Sequence, residues 1–398
     1  MNYSDENVLA GRLISIADGT YEDTAARLGE IGPDTVAVAV LREIAWRSRF
    51  GTQPAQPVTT VFELSHEGKR LDYVMTVGAQ DPSIAAGAVH DPWLVVRQDL
   101  VELVRAVYGP PGAGSATRGI AIKDEPGPGS FDPADPWRVA RSAAELAAHR
   151  IVTACAPTHY DLGELSLSYG SDKWAGHWYT QHYERHFAPL RDSRVRVLEV
   201  GIGGFQNPSA GGASLLMWKQ YFRRGMVLGL DFFDKSGLVQ PRIQPIQGDQ
   251  ADREFLDELG RDLGPFDVVI DDGSHISGDV IAAFEALFPH VRPGGLYVVE
   301  DTQTSYWSGW GGSSTRPDDL STSVGYLKTL VDALHHREFE KDAARPAGPH
   351  DEWIGGVHFY HNIVFIEKRC NAEQSAAPWV PRHTNPMEWL KQTPEQSA

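Results

Sequence analysis

The apolar positions of this chain change period along its length, and the changes outline two differently built regions. Between Pro33 and Phe50 (PDTVAVAVLREIAWRSRF) apolar side chains are dense enough for a buried helix. Its opening proline suits a first turn, where a missing N–H costs nothing. From Thr60 to Val77 the period falls to two. Phe62, Leu64, Leu71, Tyr73 and Met75 alternate with polar positions around His66-Glu67-Gly68-Lys69, which predicts a hairpin. Leu100, Leu103, Val104 and Val107 return to helical spacing and form one apolar stripe. Residues 1–108 therefore read as an N-terminal α+β auxiliary domain.

The stretch from Gly109 to Pro136 is rich in Gly, Pro, Ser and Asp, and such a run sustains neither a helix nor a central strand. It is expected to be a linker or long surface loop. A helical segment, Trp137 to Ala154, follows within a connection that runs to residue 160.

From residue 161 to 398 strands and helices alternate. Strands are expected at Arg194–Val200, Val227–Leu230, Ile243–Ile246, Phe266–Ile270 and Leu296–Val299, with helices at Ser214–Tyr221, Phe255–Leu259 and Val280–Phe288. This pattern predicts a doubly wound α/β fold with a mostly parallel sheet. The late segment His358–Lys368 (HFYHNIVFIEK) adds one or two edge strands.

Composition narrows the function by exclusion. With 41% hydrophobic residues the chain is globular, and no apolar run of about 18 residues is present to span a membrane. The start, MNYSDENVLAGR, lacks the basic and apolar segments of an export signal, so a cytoplasmic protein is expected. Acidic residues outnumber basic ones by 53 to 36, and the resulting net charge of -17 opposes binding to a phosphate backbone. Two cysteines, Cys155 and Cys370, cannot build a thiolate zinc site.

The chemistry gathers where ligands bind in such sheets, at the carboxyl ends of the strands. Successive strands end in acid: Asp231, then Asp249 nearby, Asp271-Asp272, and Glu300-Asp301. One such acid reads as a helix cap or turn former. Two adjacent pairs in one crevice exceed what capping needs, because packed carboxylates must protonate, separate or share a cation. Asp272, Glu300 and Asp301 offer hard oxygens without sulfur, which selects Mg²⁺ over zinc. His275, in Asp-Asp-Gly-Ser-His, has a packing reading, but beside a metal and a hydroxyl substrate it is the strongest general-base candidate.

The turn Glu199-Val200-Gly201-Ile202-Gly203-Gly204 follows the first strand of this region and suits close approach to a nucleotide or nucleoside. A dinucleotide fingerprint would run directly into a helix. Here Phe205–Gly212 intervenes with Pro208 inside it, which weighs against NAD. Asp231 ends the next strand, where a carboxylate accepts bonds from ribose hydroxyls. Elsewhere, His182 and His186 share a helix face, for which packing or substrate contact outranks metal binding, and Lys219 reads as a solvated side chain. Tyr306, Trp307 and Trp310 lie in a Gly- and Ser-rich loop beside the last acid pair, placed to cover a sugar or an apolar ring.

Two resemblances add to this reading. The helix, hairpin and helix of the first region, with Phe62–Leu64 and Asp91–Val104, resemble a lipid-carrier type of domain, but no motif there implies a bound lipid. The second resemblance rests on longer blocks. These are Tyr169–Arg191 (YGSDKWAGHWYTQHYERHFAPLR), Val197–Phe222, Ile270–His275 (IDDGSH), Gly295–Trp307 (GLYVVEDTQTSYW) and His358–Lys368. Through them the chain is similar to the metal- and S-adenosylmethionine-dependent O-methyltransferases that decorate deoxysugars on macrolide antibiotics, in their long form with an auxiliary domain. The resemblance implies a Rossmann-like class I methyltransferase fold, Mg²⁺ and S-adenosylmethionine as cofactors, and a glycosylated macrolide substrate. It implies Asp272, Glu300 and Asp301 as metal ligands and His275 as base. It puts the cofactor over Glu199, Gly201 and Gly203, its ribose on Asp231 and its adenine near Asp249 and Gln250. Asp271 would neighbour the methionine part, and Tyr169, Ser171 and Ser214 would close around the cofactor. It also implies a homotetramer. A catechol methyltransferase, an NAD-dependent oxidoreductase and a protein with a structural metal stand as alternatives.

Overall fold

The computed structural model describes residues 3–79, 83–124, 132, 134–339, 348–373 and 385–392, and two sheets organise them. The first unit opens with helices α1 (Asp5–Ile16), α2 (Tyr21–Ile31) and α3 (Pro33–Ser48). Strands β1 (Val58–His66), β2 (Lys69–Val77), β3 (Ile84–Ala86) and β4 (Leu94–Asp99) follow, then α4 (Leu100–Tyr108), β5 (Gly119–Ile122) and α5 (Pro136–Cys155). The strand order is β3-β2-β1-β4-β5. The hairpin forms where the alternation predicts it. Glu67 and Gly68 both adopt positive φ (48° and 76°), as the tightest hairpin turn demands, and Phe62 pairs with Tyr73. Phe62, Leu64, Tyr73 and Met75 pack with Val40, Ile44, Leu103 and Val104 of the covering helices into one core.

Three features depart from the pattern-based expectation. Helices α1 and α2 lie outside the expected elements, although α1 buries Ala10, Leu13, Ile14 and Ile16. Their caps add a second signal: Ser4 accepts from the Asn7 N–H, and Thr20 and Asp23 form a reciprocal capping box. The stretch read as a linker contains β5, which pairs antiparallel with Leu94–Arg97. Such a short outer strand needs no buried face, so its sequence carries no hydrophobic period. Helix α5 packs on the first core through Ala144, Ala147 and Ile151, and its last turn also meets the second unit, where Arg223 donates to the Ala154 carbonyl.

The second unit contains α6 (Leu162–Tyr169), α7 (Thr180–Phe187), β6 (Arg196–Val200), α8 (Ala213–Tyr221), β7 (Met226–Asp231) and β8 (Ile243–Gln247). It continues with α9 (Arg253–Leu263), β9 (Phe266–Asp271), α10 (Ser277–Leu287), β10 (Val291–Val299), α11 (Ser323–Leu334), β11 (Ile354–Tyr360), β12 (Ile363–Lys368) and α12 (Pro386–Gln392). The sheet runs β11-β12-β10-β9-β6-β7-β8. Strands β8, β7, β6, β9 and β10 are parallel, while β12 pairs antiparallel with β10 and β11 with β12. Only β11 of the last pair is an edge strand. Every residue of β9 is buried, which explains the apolar run Val268–Ile270 at its centre: a central parallel strand is covered on both faces. The chain leaves β6 toward β7 and β8, then returns to β9 on the other side. A crevice therefore opens at the carboxyl ends of β6 and β9. No helix among the described residues is long and apolar enough to cross a membrane.

A buried ion network joins the two units. Glu43 of α3 takes Arg242 Nη2 at 2.6 Å and Arg47 Nε at 2.7 Å, with all three side chains shielded from solvent. Burial alone would raise the Glu43 carboxyl; Arg242 and Arg47 instead hold it below the ordinary carboxylate range. Its stabilising effect is therefore present at neutral pH and is lost as pH falls below that range. Lys219, expected at the surface, is buried beside this network. Its Nζ lies 3.0 Å from Gln240 Oε1 and 3.9 Å from the centre of the Trp46 ring, and burial pushes its pKa down to about 7. Glu43→Ala should cost about 3–5 kcal/mol of unfolding free energy, because two buried guanidinium groups lose their counter-ion. Urea denaturation checks this, and a loss under about 1 kcal/mol would contradict it.

Candidate active site

The crevice at the switch point is a cavity of about 800 Å³. One wall is the glycine turn after β6. Gly201 has φ 93°, and a Cβ there would overlap the carbonyl oxygen of Asp272, so two strand ends meet only because this residue is glycine. Gly203 (φ 75°) faces open space on the cavity side. The loop from Gly204 to Gly212 keeps the turn away from α8. It is clamped by the buried Lys235, whose Nζ donates to the carbonyls of Phe205 (2.6 Å), Asn207 and Ala210.

Asp231 accepts backbone N–H groups on both oxygens, from Ile202 and from Phe233 at 2.9 Å each. A carboxylate has about four acceptor sites, so it fixes this wall and keeps capacity for ligand hydroxyls. Ser171, Ser214, Asp249 and Gln250 also line the cavity. Gln250 ties its far side together: it donates to Asp271 Oδ1 at 2.6 Å and accepts the Ser274 N–H at 2.8 Å. Phe205 and Phe232, unmarked by any sequence pattern, line the cavity while largely exposed, at 78% and 64%. They offer flat apolar faces at its mouth.

The opposite wall carries the acids. Asp272, His275 and Asp301 each present one ligand atom, all within 4.8 Å of one another. His275 Nε2 is 3.6 Å from one oxygen of Asp301, and His177 Nε2 is 3.5 Å from the other. His275 and Asp301 both hold left-handed backbone (φ 56° and 52°), a conformation a non-glycine residue keeps only when its surroundings enforce it. For Asp301 the Tyr179 hydroxyl contributes, donating at 2.7 Å.

Glu300 sits deeper, outside that three-atom cluster, with its carboxylate bonded by Lys173 and Tyr183. Lys173 is fully buried. Its Nζ lies 2.8 Å from Asp272, 2.7 Å from Glu300 and 3.5 Å from Glu199. Burial alone would lower its pKa, yet these acids hold it well above the ordinary lysine value, so it remains an ammonium. Burial pushes Glu199 up to about 7 and raises Asp272 and Glu300 as well. Three carboxylates (Glu199, Asp272 and Glu300) therefore share one ammonium, and Asp301 lies beside Asp272. Their crowded oxygen atoms are hard donors that suit a divalent cation such as Mg²⁺, whose charge would keep them ionised. Lys173→Met should cost about 3–5 kcal/mol by stranding buried carboxylates. Thermal and urea melts test it, and an unchanged midpoint would reduce Lys173 to a bystander.

The remaining sequence-predicted residues fall in two groups. Glu199 and Asp271 are buried behind the cavity wall, Glu199 accepting from Trp218 Nε1 at 3.1 Å. Tyr169 stands by Trp46 in a parallel stack at 6.4 Å and does not line the cavity, although its neighbours Gly170 and Ser171 do. Tyr306 and Trp310 lie in two short 3₁₀ turns after Asp301, with Trp307 between them, and all three are exposed and outside the cavity lining. Lys173, Tyr179 and Tyr183 were missed as individual residues. All three lie within YGSDKWAGHWYTQHY, whose density of aromatic and charged residues was the available signal.

Comparison with known proteins places the chain on this map. Residues 10–118 match the family described as MycE methyltransferase N-terminal, and residues 166–302 match a methyltransferase domain. The chain is 44% identical to 8-demethyl-8-alpha-L-rhamnosyl tetracenomycin-C 2'-O-methyltransferase of Streptomyces olivaceus, over 92% of this chain and 97% of that one. It is 41% identical to mycinamicin VI 2''-O-methyltransferase of Micromonospora griseorubida, over 82% of each. The solved structure of MycE methyltransferase from the mycinamycin biosynthetic pathway, in complex with Mg, SAH and mycinamycin VI, superimposes with a TM-score of 0.84 at 35% identity. That match covers 98% of this chain and 99% of that one.

Proposed function

Since the chain belongs to the family of S-adenosylmethionine- and Mg²⁺-dependent O-methyltransferases with a MycE-type N-terminal domain, we propose that it methylates a hydroxyl of a macrolide-borne deoxysugar. The observation that carries the reading is one cavity with a glycine turn and Asp231 on one wall and Asp272, His275 and Asp301 on the other. When bound, S-adenosylmethionine supplies an electrophilic methyl carbon, and Mg²⁺ supplies a Lewis acid that stabilises charge developing on the sugar oxygen.

The chain's own residues have four tasks. Asp231 would bind the cofactor ribose through its free acceptor sites, with Gly201 and Gly203 allowing close approach. Ser171, Ser214, Asp249 and Gln250 would enclose the rest, and Asp271 would support the methionine side from behind. Asp272, Glu300 and Asp301 would hold the cation, with Lys173, Tyr179 and Tyr183 orienting them. His275 would take the hydroxyl proton, a necessary step because an alcohol is about as weak an acid as water, whose pKa is about 15.7. The further gain is positional, from holding oxygen and methyl carbon in line. Tyr306, Trp307 and Trp310 would cover the sugar or its aglycone from outside the cavity.

One specific observation favours a second aglycone class: the relative at 44% identity acts on a rhamnosyl tetracenomycin rather than a macrolide. We further propose a cytoplasmic homotetramer, a reading supported by the family resemblance and checked by light scattering and cell fractionation. Calorimetry with S-adenosylmethionine and with NAD, each with and without Mg²⁺, tests the reaction class. Tight binding of the former alone is expected, and preference for NAD would overturn the proposal. Incubation with macrolides and tetracenomycins bearing unmethylated deoxysugars, followed by NMR location of the new methyl group, tests the substrate. Methylation of simple catechols in preference to all glycosides would refute it.

A further inference from the structure

A second cluster of metal-binding groups lies away from the acid-lined cavity, on the sheet face that α7 covers. His186, His358 and Glu367 each present one ligand atom, all within 4.8 Å of one another. They come from three elements: His186 from α7, His358 from the edge strand β11 and Glu367 from β12. The β11–β12 register explains their meeting. His358 pairs with Phe365, and Glu367 pairs with Gly356, so His358 and Glu367 are diagonal neighbours. His186 reaches down from α7, its ring stacked on Phe365 at 4.3 Å and 4.7 Å from that of His358.

Two further observations shape this cluster. Gly356, opposite Glu367, has no side chain, and a Cβ there would come within 3.2 Å of both the Glu367 carboxyl carbon and His358 Nε2. The imidazole and the carboxylate thus lean together over bare backbone, 2.9 Å apart, rather than spreading into solvent. Gly356 follows a register shift in β11, where glycine is common, and its bare backbone leaves the room that His358 and Glu367 fill. The His186 ring is also fixed, with the Tyr360 hydroxyl 3.0 Å from its Nε2. A held ring of this kind is what metal-ligating histidines require.

We propose that His186, His358 and Glu367 form a second divalent-metal site, which takes Zn²⁺ and clips α7 to the outer edge of the sheet. Two imidazoles and one carboxylate are a zinc ligand set with one position open to water. The same set is a poor choice for Mg²⁺, which prefers all-oxygen surroundings, so the two sites sort their metals by ligand type. Ligands about 3.3 Å apart surround a tetrahedral zinc, so the cluster needs side-chain adjustments of about an ångström. The clip has a consequence at the active site. Tyr179 and Tyr183, at the start and middle of α7, bond Asp301 and Glu300. Fixing the far end of that helix steadies both tyrosines.

The test uses the full-length protein stripped with EDTA, returned to excess Mg²⁺ and titrated with Co²⁺ as a visible probe for Zn²⁺. One equivalent should bind with the d–d absorption of an imidazole-ligated ion, and one equivalent of Zn²⁺ should displace it. The band should persist in Asp272→Asn, which cripples the acid-lined site. It should weaken at least tenfold in His358→Gln, in His186→Gln and in the isosteric Glu367→Gln, which serves if a histidine variant folds poorly. Absence of the band in the wild-type protein would overturn the proposal. So would its loss in Asp272→Asn with retention in the three cluster variants.

Discussion

Asp272→Asn should lower turnover on the order of 10³-fold and remove the response to Mg²⁺ in the same step. The substitution keeps shape and removes one charge. Asp272 is the residue the geometry shares most widely: it belongs to the cluster with His275 and Asp301, and it receives the Lys173 ammonium at 2.8 Å. Asparagine leaves Lys173 with Glu300 and Glu199, so the fold should survive while one of the carboxylates that suit a dication is lost. Cofactor affinity should change far less, because Asp231 and Gly203 sit on the opposite wall. Initial rates across a Mg²⁺ titration, with calorimetry of S-adenosylmethionine binding alongside, separate the two effects. Turnover in the variant that persists undiminished in EDTA would sink the metal assignment. A parallel collapse of cofactor affinity would move Asp272 from the cation to the cofactor.

The parts of this site that were legible in sequence are those whose meaning is local. Strand β9 advertises itself by the apolar run Val268–Ile270, and the acids and histidine of IDDGSH follow that run directly. Likewise Asp231 and the pair Glu300-Asp301 close strands whose ends the sheet topology brings to one crevice. The supporting residues were illegible for the opposite reason. Lys173 sits in a loop, where a lysine reads as solvated, and its partners lie far along the chain at Glu199, Asp272 and Glu300. Glu43 and Arg242 pose the same problem across the two units, and Lys219 reads as solvated because the Trp46 ring that covers it belongs to the other unit. Burial of a charge is a tertiary fact with no period. Strand β5 shows the complementary limit, since a short exposed strand is held by backbone bonds that any sequence can make.

The same distinction sharpens the role of His275, whose replacement should have the second large effect. His275→Ala should cost about 10²–10⁴ in turnover, the range for a lost general base. Its ring nevertheless lies in the cluster with Asp272 and Asp301, where an imidazole is also placed to ligate a metal. Ligand chemistry decides between the roles. Mg²⁺ takes oxygen donors, and the neighbouring acids supply them, so His275 is free to accept a proton. The Mg²⁺ concentration for half-maximal activity should therefore stay within about twofold of wild type, and S-adenosylmethionine affinity should hold. The residual rate should climb with pH as hydroxide replaces the missing base. A metal ligand would behave otherwise: half-saturation would move to higher Mg²⁺, and excess Mg²⁺ would restore much of the lost rate. The left-handed backbone at His275 adds one control. His275→Asn tolerates that conformation better than alanine does. Equal losses in the two variants would trace the defect to the missing imidazole, whereas recovery in asparagine would trace it to the strained turn.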